Sequence, residues 1–224
     1  MLIVIEGLDG SGKSTQVKNV HRFLEEKIGG KVHYLHFPRF DAPVVGEMIA
    51  KFLRGEFGSI EQVHPMIVAL LFAQDRKDAS TQIRAWLDKG ETVLLDRYVY
   101  SNIAFQCAKL SQQSEQEELS EWIINTEYNE FAIPRPDLNI FLDVPLSFVD
   151  SKLKDSRSGD DRGYLNGKSD IHEADMKFQE RVRQVYLRQC EKDSSFIRVC
   201  CSDPQGNMLP AEEIFKKLQT VINI

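Results

Sequence analysis

Apolar residues recur along this chain in two alternating rhythms. Short continuous runs, such as Leu2-Ile3-Val4-Ile5 and Thr92-Val93-Leu94-Leu95-Asp96, have the length and β-branched content of buried strands. Between them lie longer stretches with helical spacing of apolar positions. Read in order, the pattern predicts strands over 2–6, 31–37, 92–96, 138–144 and 196–200. Helices are expected over 14–27, 46–53, about 65–89, 101–110, 115–129, from 146, over 173–192 and from 210. Gly29-Gly30 ends the first helix and Pro38 stops the second strand. Strand and helix alternate from end to end, which implies an α/β fold with a mostly parallel central sheet flanked by helices. No repeat or linker divides the chain, so a single domain over 1–224 is expected. Residues 156–169 break the rhythm: Gly, Asp, Ser and Arg dominate, and apolar periodicity is nearly absent.

At 224 residues, 42% hydrophobic and 28% charged, the composition is that of an ordinary globular domain. A net charge of −6 argues against a general nucleic-acid or membrane-surface binder. No apolar stretch approaches the about 18 residues needed to span a bilayer, and Met1 leads into the first strand without a signal-type pattern. The four cysteines, Cys107, Cys190, Cys200 and Cys201, form no C-x-x-C pair, so reduced thiols and a cytoplasmic location are expected. The five histidines (His21, His33, His36, His64, His172) show no ligand or triad spacing and are read as structural or surface residues.

The first strand ends in Gly7-Leu8-Asp9-Gly10-Ser11-Gly12-Lys13-Ser14, followed by Thr15. This is G-x-x-x-x-G-K-[ST] in its required setting of strand, tight loop and helix start, a cradle of backbone N–H groups for phosphate. Lys13 adds charge near the β- and γ-phosphates, and the Ser14 hydroxyl can ligate Mg²⁺. The helix behind the loop directs its positive end at the same anion. In a parallel sheet the carboxyl ends of strands face the ligand crevice. Asp96 at such an end is placed to hold Mg²⁺, and Arg97 to hold phosphate oxygens. Phe72 and Arg76, four apart on a helix, project from one face. The ring can stack on a base while the guanidinium donates to a carbonyl, which favours thymine or uracil over cytosine. Arg157 and Arg162, on the irregular 156–169 stretch, have the chemistry of a mobile lid that covers a transferring phosphoryl group.

The segments Gly7-Leu8-Asp9-Gly10-Ser11-Gly12-Lys13-Ser14-Thr15, Phe37-Pro38-Arg39, Leu71-Phe72-Ala73-Gln74-Asp75-Arg76 and Asp96-Arg97-Tyr98 through Gln106 together resemble the thymidylate kinase family, in family order. Pro136-Asp137 before the fourth strand adds to the likeness. The resemblance implies a three-layer P-loop nucleoside-monophosphate-kinase-like fold and transfer of the ATP γ-phosphate to dTMP. It further implies that Asp9 receives the 3′-hydroxyl of dTMP and that Arg39 contacts the acceptor phosphate, although Phe40-Asp41 departs from commoner versions of that segment. By the same likeness, Asn102 and Gln106 face the N3 and O2 edge of the pyrimidine, and Phe105 crowds the 2′ position. Asp175 and Phe178-Gln179-Glu180-Arg181 resemble the helix that follows the lid. Because Gly10 follows Asp9, the chain resembles the lid-arginine type, in which Arg157 or Arg162 supplies the catalytic cation. A homodimer packed through helices is implied, with dTMP and ATP as ligands and neither nucleic acid nor membrane as partner. The competing readings are another nucleoside or nucleoside-monophosphate kinase and a non-catalytic nucleotide-binding P-loop protein.

Overall fold

In the computed structural model, residues 1–60, 62–154, 160–165, 170–172 and 175–223 are described, without the side chains of 160–162. Five strands form one sheet in the order β2-β3-β1-β4-β5. They are β1 (Leu2–Gly7), β2 (Val32–His36), β3 (Thr92–Asp96), β4 (Leu138–Asp143) and β5 (Phe196–Cys200). All four pairings are parallel. Helices α1 (Lys13–Ile28), α2 (Val45–Leu53), α3 (Pro65–Leu87), α4 (Val99–Cys107), α5 (Gln113–Ile124), α6 (Leu146–Lys154), α7 (Met176–Lys192) and α8 (Ala211–Ile222) connect them. Helices α1 and α8 pack together in one layer, while α3, α4 and α7 pack side by side in another. Strands β1 and β3 are buried along their whole length, as helical cover on both faces requires.

The register positions the chemistry. Ile5 of β1 lies opposite Asp96 of β3, and the Arg97 N–H donates to the Ile5 carbonyl. The loop after β1 and the residues after β3 therefore emerge side by side at the carboxyl edge of the sheet. Helix α7 starts at Met176, three residues later than the apolar spacing predicts, because Asp175 caps it by accepting the Lys177 N–H at 2.8 Å.

The helix expected over 115–129 is not uniform. Its α-helical part, α5, passes into a wider π turn over Asn125–Glu130. That turn carries Glu127, which is fully buried. A π segment of this kind re-aims a side chain that regular helix would direct elsewhere. The four cysteines are free thiols. Among the described residues no helix is long and apolar enough to cross a membrane.

Candidate active site

Residues 8–12 form the tight loop that the motif predicts, between Gly7 at the end of β1 and Lys13 at the start of α1. Gly10 and Gly12 adopt φ of 72° and 75°, the left-handed region where a side chain is strained. Helix α1 begins at Lys13, immediately after Gly12. A cavity of about 670 Å³ opens above the loop. Leu8, Asp9, Gly10, Ser11, Gly12, Lys13, Ser14 and Thr15 line it, together with Phe72, Arg76, Asp96, Arg97, Asn102, Phe105 and Gln106. The expected nucleotide and acceptor residues thus share one chamber. Gly7 lies just behind them as the last residue of β1.

Lys13 Nζ donates to Asp96 Oδ1 at 2.5 Å, and His36 Nδ1 approaches Asp96 Oδ2 at 3.3 Å. Burial opposes ionisation of Asp96, yet Lys13 and His36 outweigh it and hold the carboxyl well below the usual carboxylate range. For Lys13 the balance reverses, and burial pulls the ammonium down despite Asp96. Among the described residues no group of three or more His, Cys, Asp or Glu side chains is placed to hold a metal. A solvent-exposed Ser14 hydroxyl and one strand-end carboxylate fit Mg²⁺, which keeps several waters and takes substrate phosphates as ligands.

Arg97 sits at φ 69°, uncommon for a residue with a side chain and typical of strain held at a functional position. Its Nη2 donates to Asp9 Oδ1 at 2.7 Å and its Nη1 to Ser101 Oγ at 3.2 Å. The guanidinium lies 5.1 Å from the centre of the Phe105 ring. Burial acts against its charge, but Asp9, first among several neighbours, raises its pKa further above the ordinary value. Beneath it, buried Glu6 accepts from the Tyr98 and Ser101 N–H groups at 2.9 and 3.1 Å. Those bonds brace the start of α4 against β1.

On the wall where the sequence places the base-reading residues, Arg76 is almost wholly buried and carries a two-point ion pair with Glu127. Asn102 Nδ2 donates to the Ala69 carbonyl and to Glu127 Oε1, each at 3.0 Å. Two acceptors on one side fix the amide orientation, leaving Asn102 Oδ1 without a partner among the described residues. Gln106 Oε1 accepts from Lys109 Nζ at 2.7 Å. Phe72 is half-buried on the cavity wall.

Not every expected residue arrives there. Arg39 is outside the cavity lining. Its Nε donates to Asp75 Oδ1 at 2.8 Å, and its Nη2 to Asp78 Oδ2 at 2.6 Å. Asp75 is fully buried, and a buried carboxylate requires a cation, so it claims the guanidinium. Arg157 lies outside the described residues. For Arg162 only the backbone is described, in the 3₁₀ turn Asp160–Leu165. His172, read from sequence as structural or surface, instead lines the cavity, with its ring 5.3 Å from that of Phe105. Burial, with Lys109 and Arg97 nearby, pushes its pKa well below the ordinary histidine value. Glu6 and Glu127 were also missed, and Ser101 and Gln179 fell within family-like segments without a contact assigned to them. Each is joined to its partners across tens of residues, so no local spacing marks it.

A phosphate loop feeding a parallel 2-3-1-4-5 sheet, with the expected acceptor residues lining the same chamber, has the architecture of a P-loop nucleotide kinase. The family model for thymidylate kinase matches residues 5–208. Thymidylate kinases from two strains of Mycobacterium tuberculosis are 33% identical over 187 residues, covering 83% of this chain and 84% of theirs. A solved thymidylate kinase from Candida albicans superimposes with a TM-score of 0.70 at 25% identity, over 99% of this chain and 90% of that one. The chain belongs to the thymidylate kinase family, with ATP as phosphate donor.

Proposed function

We propose that this chain phosphorylates dTMP at the expense of ATP with the following division of labour. The loop amides and Lys13 hold the ATP phosphates, and Arg97 holds the acceptor phosphate opposite them. Ser14 and Asp96 would hold Mg²⁺, which supplies charge neutralisation to the transferring phosphoryl group. Phe72 stacks on thymine, and Arg76 offers the guanidinium nitrogen that Glu127 leaves free to O4. Asn102 Oδ1 accepts from N3–H, with Gln106 beside it at the O2 edge. Asp9 receives the 3′-hydroxyl, and Phe105 fills the space a 2′-hydroxyl would need. Arg157 or Arg162 is the lid cation. Arg39, tied to Asp75 and Asp78, takes the structural role of neutralising them. A second cavity of about 220 Å³ shares Ser11, Gly12 and Thr15 with the first. Its walls of Leu142, Phe148, Met208, Leu209 and Ile214 suit the flat base of the donor.

The observation that carries this reading is the Arg76–Glu127–Asn102 cluster opening into the same chamber as Lys13 and Arg97. A donor beside an acceptor complements O4 and N3–H of thymine and mismatches cytosine, which presents the reverse pattern. The homodimer belongs to the same proposal. Val44 and Met48 near α2, with Ile67 and Leu70 of α3, are exposed apolar residues on adjoining helices.

A coupled assay of nucleoside monophosphates with Mg·ATP tests the assignment. Turnover of dTMP should exceed that of dCMP and AMP by at least about 100-fold. Equal or better use of dCMP or AMP overturns the acceptor assignment, and ATP binding without turnover of any acceptor favours the non-catalytic alternative. The Candida albicans relative is described as broad in substrate specificity. The ranking of acceptors is therefore more informative than dTMP turnover alone.

A further inference from the structure

An unbroken hydrogen-bonded chain runs through the described residues to the two groups that face the acceptor. Tyr164 Oη donates to Asp170 Oδ2 at 2.7 Å, and Asp170 Oδ1 accepts the His172 N–H at 2.8 Å. The His172 carbonyl accepts from Gln179 Nε2 at 2.9 Å, and the same nitrogen donates to Asp9 Oδ2 at 3.2 Å. Asp9 Oδ1 closes the chain by accepting from Arg97 Nη2. Five of these six residues line the cavity; Gln179 does not.

Gln179 is fully buried on α7, and its Oε1 has no partner among the described residues. A buried, unsatisfied carbonyl destabilises the fold, and methionine has the same length without that penalty. The donor nitrogen is what distinguishes glutamine here. Both of its hydrogens are committed, one to the segment that follows the 3₁₀ turn and one to the P-loop acid. With Arg97 on one oxygen and Gln179 on the other, the plane of the Asp9 carboxylate is fixed.

We propose that Gln179 is a positioning residue that orients Asp9 toward the acceptor sugar and ties that orientation to the seating of Tyr164, Asp170 and His172. The far end of the chain is itself anchored. Tyr164 stacks on Phe40 with ring centres 3.8 Å apart, and Arg54 Nη1 donates to the Tyr164 carbonyl at 2.7 Å. Seating of that segment across α2 is thereby felt at Asp9, and a sugar lacking the 3′-hydroxyl gains nothing from it. The inference rests on the reading of Asp9 as the group that receives the 3′-hydroxyl.

The test uses the full chain with Gln179→Met, Tyr164→Phe and the double variant, assayed with dTMP and its 3′-deoxy analogue under saturating Mg·ATP. Gln179→Met should lower kcat/KM for dTMP by about 10-fold and change that for the 3′-deoxy analogue by no more than about twofold. Tyr164→Phe should act in the same direction more weakly, and the double variant should be no worse than Gln179→Met alone. Equal losses on both acceptors, or effects of the two substitutions that multiply, overturn the proposal. If the unsubstituted protein fails to distinguish the two acceptors, the reading of Asp9 falls instead. The relay is then judged on whether the two dTMP rate effects multiply. Should Gln179→Met melt, Tyr164→Phe alone decides, because loss of acceptor discrimination there is required by the relay and not by a structural role.

Discussion

Arg76 and Glu127 meet inside the protein as a two-point ion pair, Nε on Oε2 at 2.5 Å and Nη2 on Oε1 at 2.7 Å, although 51 residues separate them. The pair fixes the guanidinium plane, so the remaining nitrogen, which we propose reads the base, is aimed before any ligand arrives. Glu127→Ala leaves a buried arginine uncompensated. It should destabilise the fold by about 3–5 kcal/mol in urea unfolding. It should also raise KM for dTMP, and an unchanged KM with a folded variant would remove Glu127 from the recognition apparatus.

Asn102 tests base reading while leaving both members of that pair in place. Asn102→Ala removes the acceptor for N3–H and one donor to Glu127. Loss of one such hydrogen bond in a desolvated site should lower kcat/KM for dTMP by about 10- to 100-fold. The activity ratio of dTMP to dCMP should shrink as well. Parallel loss on both substrates would show that Asn102 supports the wall but does not read the base.

The lid cation is settled by rates. Arg157→Ala and Arg162→Ala, compared singly and together, should show one variant losing about 10³-fold or more in kcat while ATP binding is retained. Wild-type kcat in all three variants would place the transition-state cation elsewhere, with Lys13 and Arg97 as candidates.

His172 gives a pH dependence with a defined sign. Its imidazole packs among Phe52, Phe105 and Phe178, with Lys109 and Arg97 disfavouring the cation. The folded protein therefore keeps this histidine neutral where the unfolded chain protonates it, at about pH 6.5. Below that value the unfolded state binds the extra proton, so this contribution to stability is present above about pH 6.5 and is lost as pH falls. Melting temperature should drop between pH 7 and pH 5, and His172→Phe should flatten that slope. The slope, not the absolute melting temperature, is the readout, because the substitution also changes packing.

Ile67 and Val44 are 62% and 75% exposed, too much apolar surface to leave in water on neighbouring elements. If this face joins two copies, Ile67→Glu should convert a dimer into a monomer in sedimentation experiments. A protein that sediments as a monomer before substitution refutes the dimer proposal.

Much of this molecule is legible in its sequence because the relevant signals are local. A buried run followed by Gly7-Leu8-Asp9-Gly10-Ser11-Gly12-Lys13-Ser14 reads as a strand feeding a phosphate loop, and strand-end Asp96 falls beside it once the sheet is parallel. Phe72 and Arg76 share a face by helical spacing alone. Element ends are less visible, since caps such as Asp175 and the π turn over Asn125–Glu130 depend on individual hydrogen bonds.

What only the tertiary structure decided is which charge meets which. Sequence placed Arg39 at the acceptor phosphate, whereas crossing of the β2–α2 connection over α3 brings it against buried Asp75. Sequence took His172 for a structural or surface residue, and the return of the chain before α7 buries it among Phe52, Phe105 and Phe178 at the cavity wall, a position the sequence did not indicate. Glu127 carried no signal, and Gln179 showed only a resemblance to the helix that follows the lid, because each acquires its contact from a partner 51 or 170 residues away. The chain's local periodicities and its phosphate loop thus determined the fold class and the donor site by themselves. The pairing of buried charges and amides, which aims the loop's Asp9 and α3's Arg76, exists only after distant elements pack. Burial makes those pairings obligatory, and only the packed fold determines which partners are within reach.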